Sequence, residues 1–457
     1  MGNTRVLLFL IKMNRYIYIL LIGILSVLKP GPVNARSQNT FSDSLDISLL
    51  TCSMGPDAYE RFGHSGIRVQ DCKTGQDLVF HYGVFSFNTP NFIYRFVKGE
   101  TDYKLGLVPT SAFLYEYDAR GLGMTERVLW LSKQQKQKLV ELLVENYRPE
   151  NRTYRYNYFF DNCATRPFYK IEESTDGLIR YDSTWVKPVT HRMLLKEKTG
   201  ENTWLDFGIS LTVAGQADRP TTMREQIFLP EMLERCYENA MIDLPAGKMQ
   251  DSLGEAKVVL TRPLVKEKRT LLEMKPEVYE EIHEHNVLLS PISVGFMVLL
   301  CAILLTYGQV RSKNREQENA AMTYAEYEQI QAQPERSGRC RSPWDWGVQI
   351  FDTLLLVASG MGGIIVWFLN FFSEHPAVSE NWNCWWLLPT NLIFALLIWL
   401  KIPQKICKSY FFIIFAALIV YLLASIMTDQ RPHIAFIPLV WAMAIRYWYR
   451  AKEIQFR

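Results

Sequence analysis

Five apolar runs crowd the last third of the chain, at about Val287–Val310, Gly347–Phe372, Trp385–Leu400, Tyr410–Met427 and His433–Trp448. This feature constrains the fold most. As helices, the first, second and fourth are long enough to cross a hydrocarbon layer of about 30 Å. The third and fifth are shorter, but aromatic residues flank both, as at a membrane–water boundary. The distribution of Lys and Arg orients the bundle. The loop after the first run holds Arg311, Lys313, Arg315, Arg336, Arg339 and Arg341. The loop after the third holds Lys401, Lys405 and Lys408, and the tail holds Arg446, Arg450 and Lys452. Ser373–Asn383 has no positive charge, and Thr428–Pro432 has only Arg431. The positive-inside rule therefore predicts a cytoplasmic C-terminus and an exported N-terminal part.

The N-terminus fits export. Arg5, Lys12 and Arg15 precede the apolar run Tyr16–Leu28, and Pro30, Pro32 and Val33-Asn34-Ala35 follow. That is the layout of a cleaved secretory signal. The expected organisation is a signal peptide at 1–35, a periplasmic domain at 36–285 and a transmembrane domain of about five helices at 286–457, in a bacterial inner membrane. The net charge of +3 gives no footprint for a nucleic-acid partner. Eight cysteines occur and none forms a CxxC pair, so neither a metal nor a cofactor is expected. Cys52 and Cys72 are candidates for a disulfide in an oxidising compartment.

Within the exported part, strands are predicted at Ile47–Thr51, Ser65–Val69, Leu78–Tyr82, Tyr103–Val108 and Glu126–Trp130. A short helix is predicted at Asn91–Val97. Ser132–Tyr147 reads as a helix, with Ser132 and Gln135 as a capping box and Leu139, Leu142 and Leu143 on one face. Tyr154–Phe160 reads as an aromatic strand. Asp161 is then expected to cap a helical turn containing Cys163. Signals weaken from Asp176 to Glu281, where Gly215–Pro220 reads as a break and Thr221–Ala240 as helical. The order predicts an α+β domain with an antiparallel sheet, followed by an all-α membrane bundle.

Three residues suggest chemistry. Cys163 sits where a helix N-terminus and a nearby imidazole would favour its thiolate. The amides after it are candidate oxyanion donors. His64, in Arg61-Phe62-Gly63-His64-Ser65-Gly66, lies where a loop enters a strand and suits a general base. His81, in His81-Tyr82-Gly83, lies on the next strand and suits the residue that orients the base. Simpler roles stay open: Cys163 as a structural thiol or a disulfide partner of Cys236, His64 as a turn residue, and His81 as an ordinary strand residue. Outside the domain, Glu374-His375-Pro376 and Asn381-Trp382-Asn383-Cys384-Trp385-Trp386 fit either an aromatic belt with a tight turn or polar groups facing a site or a lipid headgroup.

An early His, a second His on the next strand and a much later Asn-Cys entering a helix resemble the circularly permuted papain-like fold. Lecithin:retinol acyltransferase-like enzymes and relatives of the NlpC/P60 hydrolases share it. The chain resembles the Lnb family of Bacteroidota more closely. That resemblance is carried by Thr51-Cys52-Ser53, Arg61-Phe62-Gly63-His64-Ser65, His81-Tyr82-Gly83, Asn91-Phe92, Phe96-Val97-Lys98-Gly99 and Pro149-Glu150-Asn151-Arg152. It continues through Phe159-Phe160-Asp161-Asn162-Cys163-Ala164-Thr165-Arg166, Phe228-Leu229-Pro230, His375-Pro376 and Asn381-Trp382-Asn383. It implies N-acylation of bacterial lipoproteins through a thioester on Cys163, with phospholipids or lipoprotein-borne chains as donors. His64 and His81 would assist the thiol, and Asp161, Asn162, Ser65, Arg166 and His375 would support the site. One departure stands out: the permuted acyltransferases usually carry an acidic residue and a His directly after the cysteine, where this chain has Ala164-Thr165-Arg166. A cell-wall cysteine peptidase or amidase, and a non-enzymatic envelope protein, are the competing readings.

Overall fold

The structure, a computed structural model, describes residues 44–251, 254–284, 286–327, 343–400 and 403–453. The predicted signal peptide lies outside them, as do Arg336, Arg339, Cys340, Arg341 and Lys401.

Apolar alternation builds the central sheet. In β1 (Leu45–Cys52) Ile47, Leu49 and Leu50 are fully buried. It pairs antiparallel with β2 (His64–Asp71), which pairs with β3 (Asp77–Val84) and so on to β4 (Asp102–Pro109) and the three-residue β6 (Thr153–Arg155). On its other side β1 pairs with β5 (Met124–Leu129), and β5 with the late β10 (Val265–Leu272). The strand order is β10-β5-β1-β2-β3-β4-β6. A second sheet joins β7 (Ile179–Tyr181), β8 (Ala240–Asp251) and β9 (Gly254–Pro263). Helices are α1 (Phe92–Lys98), α2 (Thr110–Ala119), α3 (Lys133–Tyr147), α4 (Thr165–Thr175), α5 (His191–Thr199), α6 (Trp204–Thr212), α7 (Met223–Gln226), α8 (Pro230–Glu238) and α9 (Pro276–His283). The domain is α+β with an antiparallel sheet, as expected. The capping box of α3 forms as predicted, with Ser132 Oγ accepting from the Gln135 amide and Gln135 Oε1 from the Ser132 amide.

Four expectations change. Tyr154–Phe160 is not one strand. Asn157 Oδ1 accepts from the amides of Phe159 and Phe160, and that turn ends the extended backbone after β6. Cys52 and Cys72 are both free thiols. Cys52 stands opposite His64 at one end of the β1–β2 ladder, while Cys72 bonds back to Ser44 beyond the other end. That separation is more than 20 Å at about 3.3 Å per residue, far outside disulfide reach. Cys236 is likewise a free, buried thiol. The stretch predicted as one helix from Thr221 is broken into α7 and α8 around Pro230.

The membrane part holds α10 (Pro291–Tyr327), α11 (Pro343–Phe372), α12 (Thr390–Leu397), α13 (Gln404–Met427) and α14 (Phe436–Glu453). Among the described residues three stretches are long and apolar enough to cross a bilayer: Pro291–Arg315, Trp344–Phe372 and Lys405–Met427. The third predicted crossing differs from expectation. Its first residue, Trp385, ends the 3-10 turn Trp382–Trp385, and regular helix begins only after Pro389, leaving eight residues in α12. The stretch nonetheless runs down α11. Leu387 and Leu388 abut Gly363, Leu392 abuts Gly360, and the Ile398 carbonyl accepts from Gln349 Nε2. Gly363 to Gln349 spans about 21 Å of helix. The two glycines admit that close approach, because a Cβ at either would meet backbone atoms at 2.8 Å.

An ion-pair network ties α10, α11 and α14 together. Arg446, fully buried, donates twice to buried Asp352 at 2.7 and 2.9 Å and also reaches Thr306 and Gln309. Arg450 reaches Asp352 at 2.6 Å. Inside an apolar bundle such charges persist only when paired.

Candidate active site

The site begins with Asn162 rather than with Asp161. Asn162 is buried and uses both ends of its amide. Its Oδ1 accepts from the amides of Ala164 and Thr165 at 2.8 and 3.0 Å. Its Nδ2 donates to the carbonyls of Tyr158 and Phe228 at 2.9 and 2.8 Å. Thr165 Oγ1 completes a box by accepting from the Asn162 amide. Asn162 is therefore the side-chain cap, and Cys163 lies in the turn just before α4 instead of in its first turn. Asp161 is occupied elsewhere, in a bidentate pair with Arg166 at 2.5 and 2.7 Å. The Arg166 guanidinium lies 3.6 Å from the Tyr154 ring centroid. These two residues brace the turn against the sheet.

Ser65 ties the turn to β2, its Oγ donating to the Cys163 carbonyl at 2.5 Å. The amides after the thiol, expected as oxyanion donors, are already consumed by Asn162 Oδ1. The amides that favour the thiolate are those of Ser65 and of Cys163 itself.

Two strands deliver the histidines. His64 opens β2 opposite Cys52, and His81 sits in β3 opposite Gly106 of β4. His64 Nε2 and His81 Nδ1 are 3.2 Å apart, and the rings meet edge to face. Phe113 of α2 lies 5.2 Å from the His81 ring and 6.5 Å from that of His64, giving the pair an apolar wall. Gly106 makes room for His81, since a Cβ there would stand 2.7 Å from His81 Nε2. Gly83 joins the histidines to the thiol. A Cβ on it would stand 3.6 Å from both Cys163 Cβ and His64 Cε1, so those two atoms are at most twice that distance apart. Its φ of +97° also selects glycine. Asn162 is among the residues expected to support the site, whereas Gly83, Gly106 and Phe113 escape a search for nucleophiles and bases.

Burial sets the protonation states. It lowers His64 to about 3, with His81 adding to the effect, and lowers His81 to about 4. It raises the Cys163 thiol to about 11. At neutral pH the resting site is a thiol beside two neutral imidazoles.

His375 does not join this cluster. Its Nε2 meets the Phe96 carbonyl at 2.5 Å, at the C-terminal end of α1. Its neighbours do the same: Ser373 Oγ donates to the Val97 carbonyl and the Glu374 amide to that of Lys98, both at 2.8 Å. The second outer motif behaves alike. Asn381 Nδ2 donates to the carbonyls of Leu211 and Thr212, and Asn383 Nδ2 to that of Leu211, each at 3.0 Å. Gln430 holds Asn381 in turn. The single loop between α11 and α12, which carries both motifs, thus caps two helix C-termini of the N-terminal domain, those of α1 and α6, satisfying carbonyls a helix end leaves open.

These features define a membrane protein whose α+β domain, docked on the outer ends of a helical bundle, carries a thiol beside paired histidines. Residues 34–197 match the Lnb N-terminal periplasmic domain and residues 345–455 match the Lnb transmembrane domain. The chain belongs to the Lnb family, and its N-terminal domain is periplasmic. No curated protein and no solved structure matches it.

Proposed function

We propose that the protein is a thiol acyltransferase of the bacterial inner membrane that N-acylates the N-terminal cysteine of lipoproteins. The observation that carries this reading is the grouping of Cys163, His64 and His81 in a periplasmic domain that the membrane bundle holds by two capped helix ends. His64 uses Nε2 toward His81, which leaves Nδ1 as the nitrogen to serve the thiol. That tautomer requires His64 Nε2–H to donate and His81 Nδ1 to accept, so His81 is the orienting residue. The order His, His, Asn-Cys along this sheet supports a permuted papain-like domain.

The cycle has two halves. His64 Nδ1 takes the thiol proton as the sulfur attacks an ester carbonyl of a diacylglycerol lipid. A C–S bond forms, the ester C–O bond breaks, and the proton passes to the leaving glycerol oxygen. The α-amine of a diacylglyceryl-cysteine then attacks the thioester. A C–N bond forms, the C–S bond breaks, and the amine proton returns through His64 to the sulfur. The amides of Ser65 and Cys163 are the candidate donors to the tetrahedral oxygen. Because the resting thiol is protonated, transfer to His64 accompanies attack rather than preceding it.

The topology belongs to the same proposal. The loops around Ser373–Asn383 and Gln430–Arg431 both touch the periplasmic domain, Arg431 through its amide to Asp218. Both are then outside. α13 must start inside, and the stretch through α12 must cross despite its short helix, which gives five passages and a cytoplasmic C-terminus.

The test is the intact mass and fragmentation of one lipoprotein N-terminal peptide from cells dependent on this protein. Cells with Cys163→Ala are expected to leave the α-amine free. An unchanged acylated mass overturns the reading, and altered cell-wall cross-links at constant lipoprotein mass would point to an amidase.

A further inference from the structure

The short helix α1 has no buried residue, although its C-terminal end is held by the loop after α11. Ile93 is 77% exposed, and Phe87 just before the helix is 63% exposed. Tyr94 and Phe96 are also exposed. A face this apolar is costly in water.

Its position explains it. The carbonyls of Phe96, Val97 and Lys98 are held by His375, Ser373 and Glu374, which directly follow Phe372, the last residue of α11. The Tyr94 ring meets that of Phe368, one turn inside α11, at 6.0 Å. Gly99, with φ +82°, lets the loop approach, because a Cβ there would stand 3.0 Å from the His375 amide. So α1 lies where α11 leaves the hydrocarbon. Its polar side chains turn back to the domain: Arg95 pairs with Asp102 and Lys98 with Glu100.

From α1 a row of rings leads inward. Phe96 stacks on Phe92 and Phe92 on Phe85, two residues past Gly83. Phe85 stacks on Tyr103, and Tyr103 on Tyr156 at 4.2 Å. Tyr156 is half-buried; burial first, and a Cys163 thiolate second, push its phenol up, and Gly83, two residues before Phe85, lies beside Cys163 Cβ. An apolar strip therefore runs from the outer edge of α11 to the thiol.

We infer that α1 lies in the periplasmic leaflet and that the strip from Ile93 and Phe96 to Phe85 is the path by which a glycerophospholipid acyl ester reaches Cys163. This deepens the acyltransferase reading and rests on it for the role of Cys163. The occupant is leaflet phospholipid rather than a peptide, because the strip is continuous with a membrane helix and its charged neighbours are paired inward. Amphipathic surfaces at this depth bind through buried apolar area.

The test uses the full chain in nanodiscs of phosphatidylethanolamine and phosphatidylglycerol. A photo-crosslinking residue replaces Ile93 in one sample and Tyr169, exposed on α4, in another, and adducts are identified by mass. Phospholipid adducts are expected at position 93 and not at 169. Ile93→Glu is expected to lower acyl-enzyme formation from nanodisc lipid by about tenfold or more, with Ile93→Leu restoring it. Melting temperature reads whether the Glu variant is folded. No lipid adduct at 93, or full acylation by a folded Ile93→Glu protein, overturns the inference. A lipid adduct at 93 with no acyl group on Cys163 keeps α1 in the leaflet and removes the acyltransferase reading instead.

Discussion

His64 Nε2 and His81 Nδ1 lie 3.2 Å apart, a spacing that accommodates one proton between them. Protonating either ring sets a cation against the apolar wall of Phe113, and protonating both sets two cations edge to face. The folded state thus prefers both rings neutral, whereas the unfolded rings take up protons near the ordinary value of about 6.5. The lowered folded values, about 3 and about 4, mean that the unfolded chain binds more protons throughout that window. Stability is full above about pH 6.5 and falls as pH drops, by at most about 1.4 kcal/mol per pH unit for each ring. Thermal unfolding in detergent at pH 7 and pH 5 is expected to show this loss. His81→Gln is expected to reduce it by about half.

The same substitution reports on catalysis. His81→Gln keeps an acceptor oxygen but loses the ring that fixes the tautomer of His64. Acyl-enzyme formation is expected to slow by about 10- to 100-fold with little change in donor KM, whereas His64→Gln is expected to abolish it.

Alkylation reads the thiol directly. With the thiol raised to about 11, iodoacetamide labelling of Cys163 is expected to rise about tenfold per pH unit between pH 7 and 9. A pH-independent plateau would mean a preformed thiolate–imidazolium pair. The assay follows the Cys163 peptide by mass, because Cys72 is exposed and labels on its own.

Gly83→Ala tests the space between thiol and base. The added methyl would stand 3.6 Å from Cys163 Cβ and His64 Cε1, at a φ of +97°. A stability loss of about 1–2 kcal/mol is expected from the backbone. Activity is expected to fall further than stability predicts, because the methyl occupies the volume an ester carbonyl must enter. Equal loss of both would make Gly83 a purely conformational residue.

Asn162→Ala removes five side-chain hydrogen bonds from a buried turn. A cost of about 2–4 kcal/mol is expected, with Cys163 labelling no longer held back. Asn162→Asp keeps the cap but sets a buried carboxylate oxygen against the two carbonyls, so its cost is expected to shrink as the pH drops and the carboxyl takes up a proton. Denaturant titration of the pair separates the two halves of the amide.

Much of the fold is legible in the sequence because it depends on local rules. β1 to β5 follow from alternation, and α3 follows from its capping box. The late strand β10 is invisible for a physical reason. Lys266, Glu267, Lys268 and Arg269 are exposed on a sheet edge, where charged side chains carry no apolar pattern. Tyr154–Phe160 misleads because aromatic density mimics a strand while one side chain, Asn157, turns the backbone. The chemistry is partly legible. Cys163, His64 and His81 stand out by type, but their convergence depends on pairing between strands. The roles of His375, Asn381 and Asn383 cannot be read locally, since their partners are carbonyls far away in the chain.

The caps that the loop between α11 and α12 places on α1 and α6 have an evolutionary consequence. Each joint is made to main-chain oxygens, and every residue type offers the same oxygen. Apart from the ring contacts of Tyr94 with Phe368 and of Phe96 with His375, the side chains of α1 are therefore released from the task of holding the two domains together. They can drift to suit the lipid composition of a particular host envelope, while the distance between membrane and thiol stays the same.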